Sequence, residues 1–167
     1  KIGELAGMPA VWHCIGPIQS NKTRLVAEHF DWVQSVDRLK IAQRLSDQRP
    51  AHLAPLQVCI QVNTDGGPTK AGVTPEALPE LARAISRLPR LRLRGLMTIP
   101  EPAADFTSAC ALHARARALF DALNAQGLAL DTLSMGMSAD VEAAIHAGST
   151  MVRVGTAIFG GRTRTTA

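Results

Sequence analysis

Two short segments late in the sequence carry the residue types of an anion site. Leu133-Ser134-Met135-Gly136-Met137-Ser138 and Met151-Val152-Arg153-Val154-Gly155-Thr156-Ala157 each read as a strand that runs straight into glycine and a small hydroxyl residue. Glycine lets a ligand approach the backbone closely, and the N–H groups that follow open a helix or turn with unsatisfied donors, an arrangement suited to phosphate. Ser138, Gly155 and Thr156 are therefore candidate phosphate ligands. The alternative is that Ser138 only caps a helix and Gly155 only makes a turn.

Arg153 lies inside an apolar strand. A buried guanidinium needs an acceptor, and strand alternation puts it on the same face as Gly155, pointing toward the body of a ligand whose phosphate sits at Gly155-Thr156. A structural ion pair with a neighbouring strand is the alternative, but the strands offer few acids. Other candidates are weaker. Asp140 and Glu142 fit the first turn of a helix, and Glu142 with His146 reads as a surface i,i+4 pair. There is no H-E-x-x-H, no G-x-G-x-x-G and no G-x-S-x-G, and Gly66-Gly67-Pro68-Thr69-Lys70 lacks the first glycine of a P-loop. Arg90, Arg92 and Arg94 alternate with Leu91 and Leu93; the run is short and lacks aromatic residues, so a solvated strand end is favoured over a nucleic-acid patch.

The elements that position these residues alternate regularly. Strands are predicted over Ala10–Gly16, Trp32–Val36, Leu56–Asn63, Leu91–Ile99, Thr132–Met135 and Thr150–Val154. Helices are predicted from Ser20 or Asn21 to Phe30, after Asp37, from Thr74-Pro75-Glu76 to Leu88, from Asp105 to Gln126, and from a Ser138 cap over Ala139–Ala147. Near-continuous apolar strands alternating with helices mean a parallel sheet covered by helices. An open doubly wound sheet and a (β/α) barrel both satisfy that pattern. A full (β/α)8 TIM-type barrel has eight strands and about 250 residues. On the barrel reading, residues 1–167 form one α/β domain that lacks about two βα units at its N-terminus, so the chain reads as a fragment.

Composition narrows the function class. The 167 residues are 46% hydrophobic and 19% charged, a globular balance, and no apolar run approaches the roughly 18 residues of a membrane helix. Cys14, Cys59 and Cys110 form no C-x-x-C pair, and read as free thiols in a reducing, cytoplasmic compartment. The net charge of +4 permits acidic ligands, while the absence of tyrosine and the few other aromatics disfavour a single-strand nucleic-acid binder.

With those residues in place, the chain resembles the pyridoxal-phosphate homeostasis family. Trp12-His13-Cys14-Ile15-Gly16-Pro17-Ile18-Gln19-Ser20-Asn21-Lys22 is similar to its W-H-[FM]-I-G-x-L-Q-x-N-K signature. Gly95-Leu96-Met97-Thr98-Ile99-Pro100 matches G-L-M-x-I-P, and the segments 133–138 and 149–160 match the C-terminal motifs. The resemblance covers essentially the whole chain. It implies a fold like the N-terminal barrel of alanine racemase and a bound cofactor, pyridoxal 5′-phosphate (PLP). The phosphate would be held by Ser138, Gly155 and Thr156, and Arg153 would face the ring nitrogen. An arginine there disfavours protonating that nitrogen and weakens the ring as an electron sink.

The implied function is binding, storage and delivery of PLP without catalysis, with PLP-dependent apo-enzymes as candidate recipients and neither nucleic acid nor membrane as partner. A racemase-type enzyme on the same fold and a basic interaction module are the rivals. Three departures stand out, the last of them the largest. Cys14 replaces a usual Phe or Met, and Gly67 replaces a usual Glu in a loop that keeps Asn63, Lys70 and Gly72. The family's Schiff-base lysine, in a V-S-K-x-x-P context, has no counterpart here: Lys1, Lys22, Lys40 and Lys70 all lie outside the predicted strands.

Overall fold

The computed structural model describes residues 2–5, 7–66 and 71–161. Lys1, Gly67 and Lys70, noted above, lie outside the described residues. Six strands, β1 (His13–Cys14), β2 (Trp32–Val36), β3 (Leu56–Gln61), β4 (Leu91–Met97), β5 (Thr132–Met137) and β6 (Met151–Arg153), form one sheet in sequence order. Every neighbouring pair is parallel. The helices are α1 (Thr23–His29), α2 (Leu39–Gln48), α3 (Leu78–Ser86), α4 (Phe106–Ala125), α5 (Val141–His146) and α6 (Thr156–Phe159).

Strand alternation sorts the side chains into two sets. Val33, Leu56, Val58, Ile60, Leu96, Leu133 and Met135 pack with Ile41, Ala42, Leu45, Ala82, Ile85, Ala116, Phe120 and Leu123 of the helices into one apolar core. The opposite, inner face carries polar groups, among them Gln34, Ser134 and Arg153. Gln34 on β2 reaches Ser134 on β5 and Met151 on β6, so the sheet is curled and its far strands meet across the interior. This is the (β/α)-barrel alternative, a six-stranded arc of it, and not the open sheet.

Gly95 makes the curl possible at β4–β5. A Cβ there would sit 1.7 Å from the Thr132 carbonyl oxygen, so only glycine admits that approach. Gly136, at φ 91°, lies next to the end of β5 and against α5, where a Cβ would meet the Ala144 methyl at 2.4 Å.

Several predicted boundaries move. β1 is only two residues long, because the Trp12 N–H is taken by the Asp31 carboxylate at 2.8 Å while its carbonyl receives both Asp31 and Trp32 N–H groups. Asp37 does not cap α2; its carboxylate pairs with Arg38, which occupies the cap position. Residues 75–77 form turns, and α3 begins only at Leu78. Asp105 caps α4 as predicted, accepting from the Ser108 N–H at 2.8 Å.

Candidate cofactor site

The ends of β5 and β6 converge on a cavity of about 710 Å³ lined by residues that include His13, Gln34, Ser138, Arg153, Gly155 and Thr156. All of the residues singled out from the sequence as anion ligands therefore share one cavity. Ser138 is not the cap of α5. Asp140 holds that position, and its carboxylate accepts the Met137 N–H at 2.6 Å, which closes the turn after β5. The freed Ser138 hydroxyl accepts from the backbone N–H groups of Gly155 at 3.3 Å and Ala157 at 3.2 Å. The turn after β6 thus directs two amides at the hydroxyl of the turn after β5, and hydroxyls and backbone amides at such turns are groups that can take an oxyanion through charge-assisted hydrogen bonds.

Arg153 lies beside it, half-buried. Its Nη1 donates to the Ser134 hydroxyl at 2.7 Å and its Nη2 to the Thr98 carbonyl at 2.8 Å. These acceptors are neutral, so they hold the guanidinium without cancelling its charge. Burial lowers its pKa from the ordinary value, while the Asp140 carboxylate and the Cys59 thiol act in the opposite direction. Arginine remains protonated across any accessible pH, and the cavity carries one fixed positive charge next to the hydroxyl–amide cluster.

The site includes residues that the sequence did not single out. His113 on α4 is 1% exposed and its Nε2 lies 2.9 Å from the second oxygen of Asp140. Asp140 is thereby held from both sides, by the Met137 amide and by His113. No local pattern marks His113, which sits among alanines on a mostly apolar helix. Ser134 and Gln34 are fully buried polar residues beneath Arg153. His146 does not pair with Glu142 but packs edge-on against Phe106, ring centroids 5.8 Å apart.

The arginine run near β4 has structural work. Arg94 makes a bidentate contact with Asp131 at 2.8 Å and lies 4.7 Å from the centroid of the Trp32 ring. Arg90 donates to the Arg49 carbonyl. Cys59 is buried and its thiol pKa is pushed up to about 12 by burial, whereas Cys14 is only half-buried. Among the described residues no cluster of His, Cys, Asp and Glu could hold a metal ion, and no helix is long and apolar enough to cross a membrane. Lys22 and Lys40 are exposed, on the helical segments flanking β2, and neither lines the cavity.

Comparison with known proteins agrees with this architecture. The alanine racemase N-terminal domain family matches residues 4–163. A pyridoxal phosphate homeostasis protein from Pseudomonas aeruginosa is 64% identical over 162 residues, covering 97% of this chain and 69% of that protein. The chain spans about two thirds of the length of the curated relatives it matches. Among solved structures, PipY of Synechococcus elongatus with PLP bound superposes with a TM-score of 0.84 at 38% identity, over 95% of this chain and 74% of that one. Alanine racemase of Clostridium difficile shares the fold, with a TM-score of 0.78 at 16% identity over 98% of this chain and 44% of that one. On its sequence and on its superposition alike, the chain belongs to the pyridoxal phosphate homeostasis protein family, within the alanine racemase N-terminal domain fold.

Proposed function

We propose that this protein binds PLP and serves to hold and deliver the cofactor, not to catalyse a reaction with it. The observation that carries the reading is the Ser138 hydroxyl joined to the Gly155 and Ala157 amides beside the half-buried Arg153 in one cavity. The residues fit the group. Ser138, Gly155 and Thr156 would take the phosphate, and Arg153 would face the pyridine nitrogen. When bound, PLP supplies a reactive aldehyde and an electron-accepting ring. Arg153 has no proton to give up at neutral pH and no lone pair to offer, so it would keep the pyridine nitrogen unprotonated and reduce that electron demand.

Relatives named for PLP homeostasis and a PLP-bound structural neighbour support the reading. The test is equilibrium binding of PLP and of pyridoxal to the intact protein, with an assay of PLP transfer to an apo-enzyme. Tighter binding of the phosphorylated form, transfer, and no interconversion of alanine enantiomers are expected. Equal affinity for the two ligands would remove the phosphate site, and steady racemisation would make the protein an enzyme.

A further inference from the structure

Beneath the cavity runs a chain of polar side chains whose hydrogen-bond direction can be worked out from one end. Arg153 can only donate. Its Nη1 gives a hydrogen bond to the Ser134 hydroxyl at 2.7 Å, so Ser134 accepts there and turns its own proton to Gln34 Oε1, 2.6 Å away. That sets the Gln34 amide. Its Nε2 faces His13 Nδ1 at 2.8 Å and Met151 Sδ at 3.2 Å. An amide nitrogen only donates, so His13 Nδ1 is the acceptor and the imidazole is neutral, with its proton on Nε2.

The reversed amide is worse at two of its three contacts, those with Met151 and Ser134. It would set an oxygen against the Met151 sulfur, and it would give Ser134 two donors and no acceptor. Ser134 is 0% and Gln34 2% exposed, so water cannot repair either fault. His13 is itself held by stacking on Trp32, ring centroids 5.1 Å apart and planes 11° from parallel.

We infer that Gln34 and His13 are positioning residues for Arg153: the chain from His13 through Gln34 and Ser134 aims the guanidinium into the cavity, and it does so only while His13 is neutral. The inference rests on the PLP reading above for the use to which Arg153 is put. Protonation of His13 at Nδ1 removes the acceptor for Gln34, and the mismatch passes up the chain to the Ser134 contact of Arg153. The charged groups around His13 are Asp31, whose field favours the imidazolium, Arg94 over Trp32 with its partner Asp131, and Arg153 at the far end of the chain. Burial outweighs Asp31 and holds the His13 pKa below its ordinary value, which keeps the chain intact at neutral pH.

The first measurement is the 15N NMR signature of His13 in the intact protein without ligand, expected to show an unprotonated Nδ1 and a protonated Nε2 at pH 8. The second is PLP affinity across pH 5–8 for the wild type and for the variants Gln34→Leu, His13→Leu and His13→Asn. Gln34→Leu and His13→Leu should bind about five- to tenfold more weakly, the scale of one hydrogen bond between neutral groups. His13→Asn sets an amide oxygen near the Nδ1 position and does not titrate. It should bind within about twofold of wild type at pH 8 and lose less affinity than wild type as pH falls. Should Gln34→Leu fail to fold, the tautomer and the Asn variant still decide. A His13 protonated on Nδ1 at pH 8, or leucine variants that bind like wild type, would overturn the inference while leaving PLP binding in place. A wild type that binds no PLP overturns the cofactor reading, and the positioning role falls with it.

Discussion

Ser138 and Gly155 are joined by a hydrogen bond from the Gly155 N–H to the Ser138 hydroxyl, 3.3 Å long, across the two turns that follow β5 and β6. Both this bond and that from Ala157, at 3.2 Å, are at the long end of the N–H···O range. Exchanging them for bonds to a phosphate oxygen costs little, and the hydroxyl can then turn its own proton to the ligand. Ser138→Ala removes that donor and leaves both amides in place. PLP should bind more weakly by about 1 kcal/mol or more, and pyridoxal should be unaffected. Titration of the two ligands by fluorescence checks this.

Arg153 is held by one hydroxyl and one carbonyl, so its charge is not neutralised at either contact. Arg153→Gln keeps a polar donor but loses the charge and the fork, and PLP affinity should fall. Arg153→Leu should bind no better than Gln, because it also leaves Ser134 and the Thr98 carbonyl short of a donor inside the barrel, and its thermal midpoint should drop as well. If both variants keep wild-type affinity and stability, Arg153 does not serve the cavity.

The parts of this site that were legible in the sequence are those written in local order. Ser138, Gly155 and Thr156 follow directly on strands, and their types and spacing suffice. The same holds for β2, a short run framed by Trp32, Val33 and Val36 and read to the residue. Ser134, Gln34 and His13 were not legible as a unit. They come from β5, β2 and β1, and only the curl of the sheet brings Ser134 within 2.6 Å of a side chain 100 residues earlier. Ser138 was misread as a helix cap for a related reason. A cap is a local solution, and here Asp140 supplies it while the hydroxyl serves the next turn. His113 was invisible because its partner Asp140 lies on another element.

Lysine chemistry gives a third prediction. Lys22 and Lys40 are exposed on helical segments and lie outside the cavity lining. Borohydride reduction of the protein with PLP, followed by peptide mapping, should show neither as a stoichiometric adduct. A single full-occupancy label on Lys22 or Lys40 would mean that the ligand sits elsewhere.

Stability should depend on pH through His13. Its pKa in the fold is lowered, burial being the larger cause and Asp31 opposing it, so the unfolded chain takes up the proton first as pH falls. Stability from this group is present above the ordinary histidine value of about 6.5 and is lost as pH drops through the folded value. Urea midpoints from pH 8 to pH 5 should fall less for His13→Asn than for wild type. Equal slopes would show that His13 titrates alike in both states.

Arg49 provides a control remote from the cavity. It is 4% exposed, and its guanidinium donates to three backbone carbonyls, those of Ala54 at 2.9 Å, Ala27 at 2.7 Å and Phe30 at 2.8 Å. It thereby ties the end of α2 to the end of α1 and to the segment leading into β3. Those carbonyls lie at or near the end of α1 and in the segment before β3, where no helix or strand partner takes them up. Arg49→Leu keeps much of the packing volume and leaves them without donors. Each buried carbonyl left short costs about 1–3 kcal/mol, partly relieved where water can enter, so the variant should lose at least about 2 kcal/mol. Because Arg49 does not line the cavity proposed for PLP, the folded fraction should bind PLP with wild-type affinity. Measuring the denaturation midpoint and the PLP affinity on the same preparation separates the two effects. A variant as stable as wild type would show that the three carbonyls find other partners, and one that folds but binds weakly would tie this end of the fold to the site.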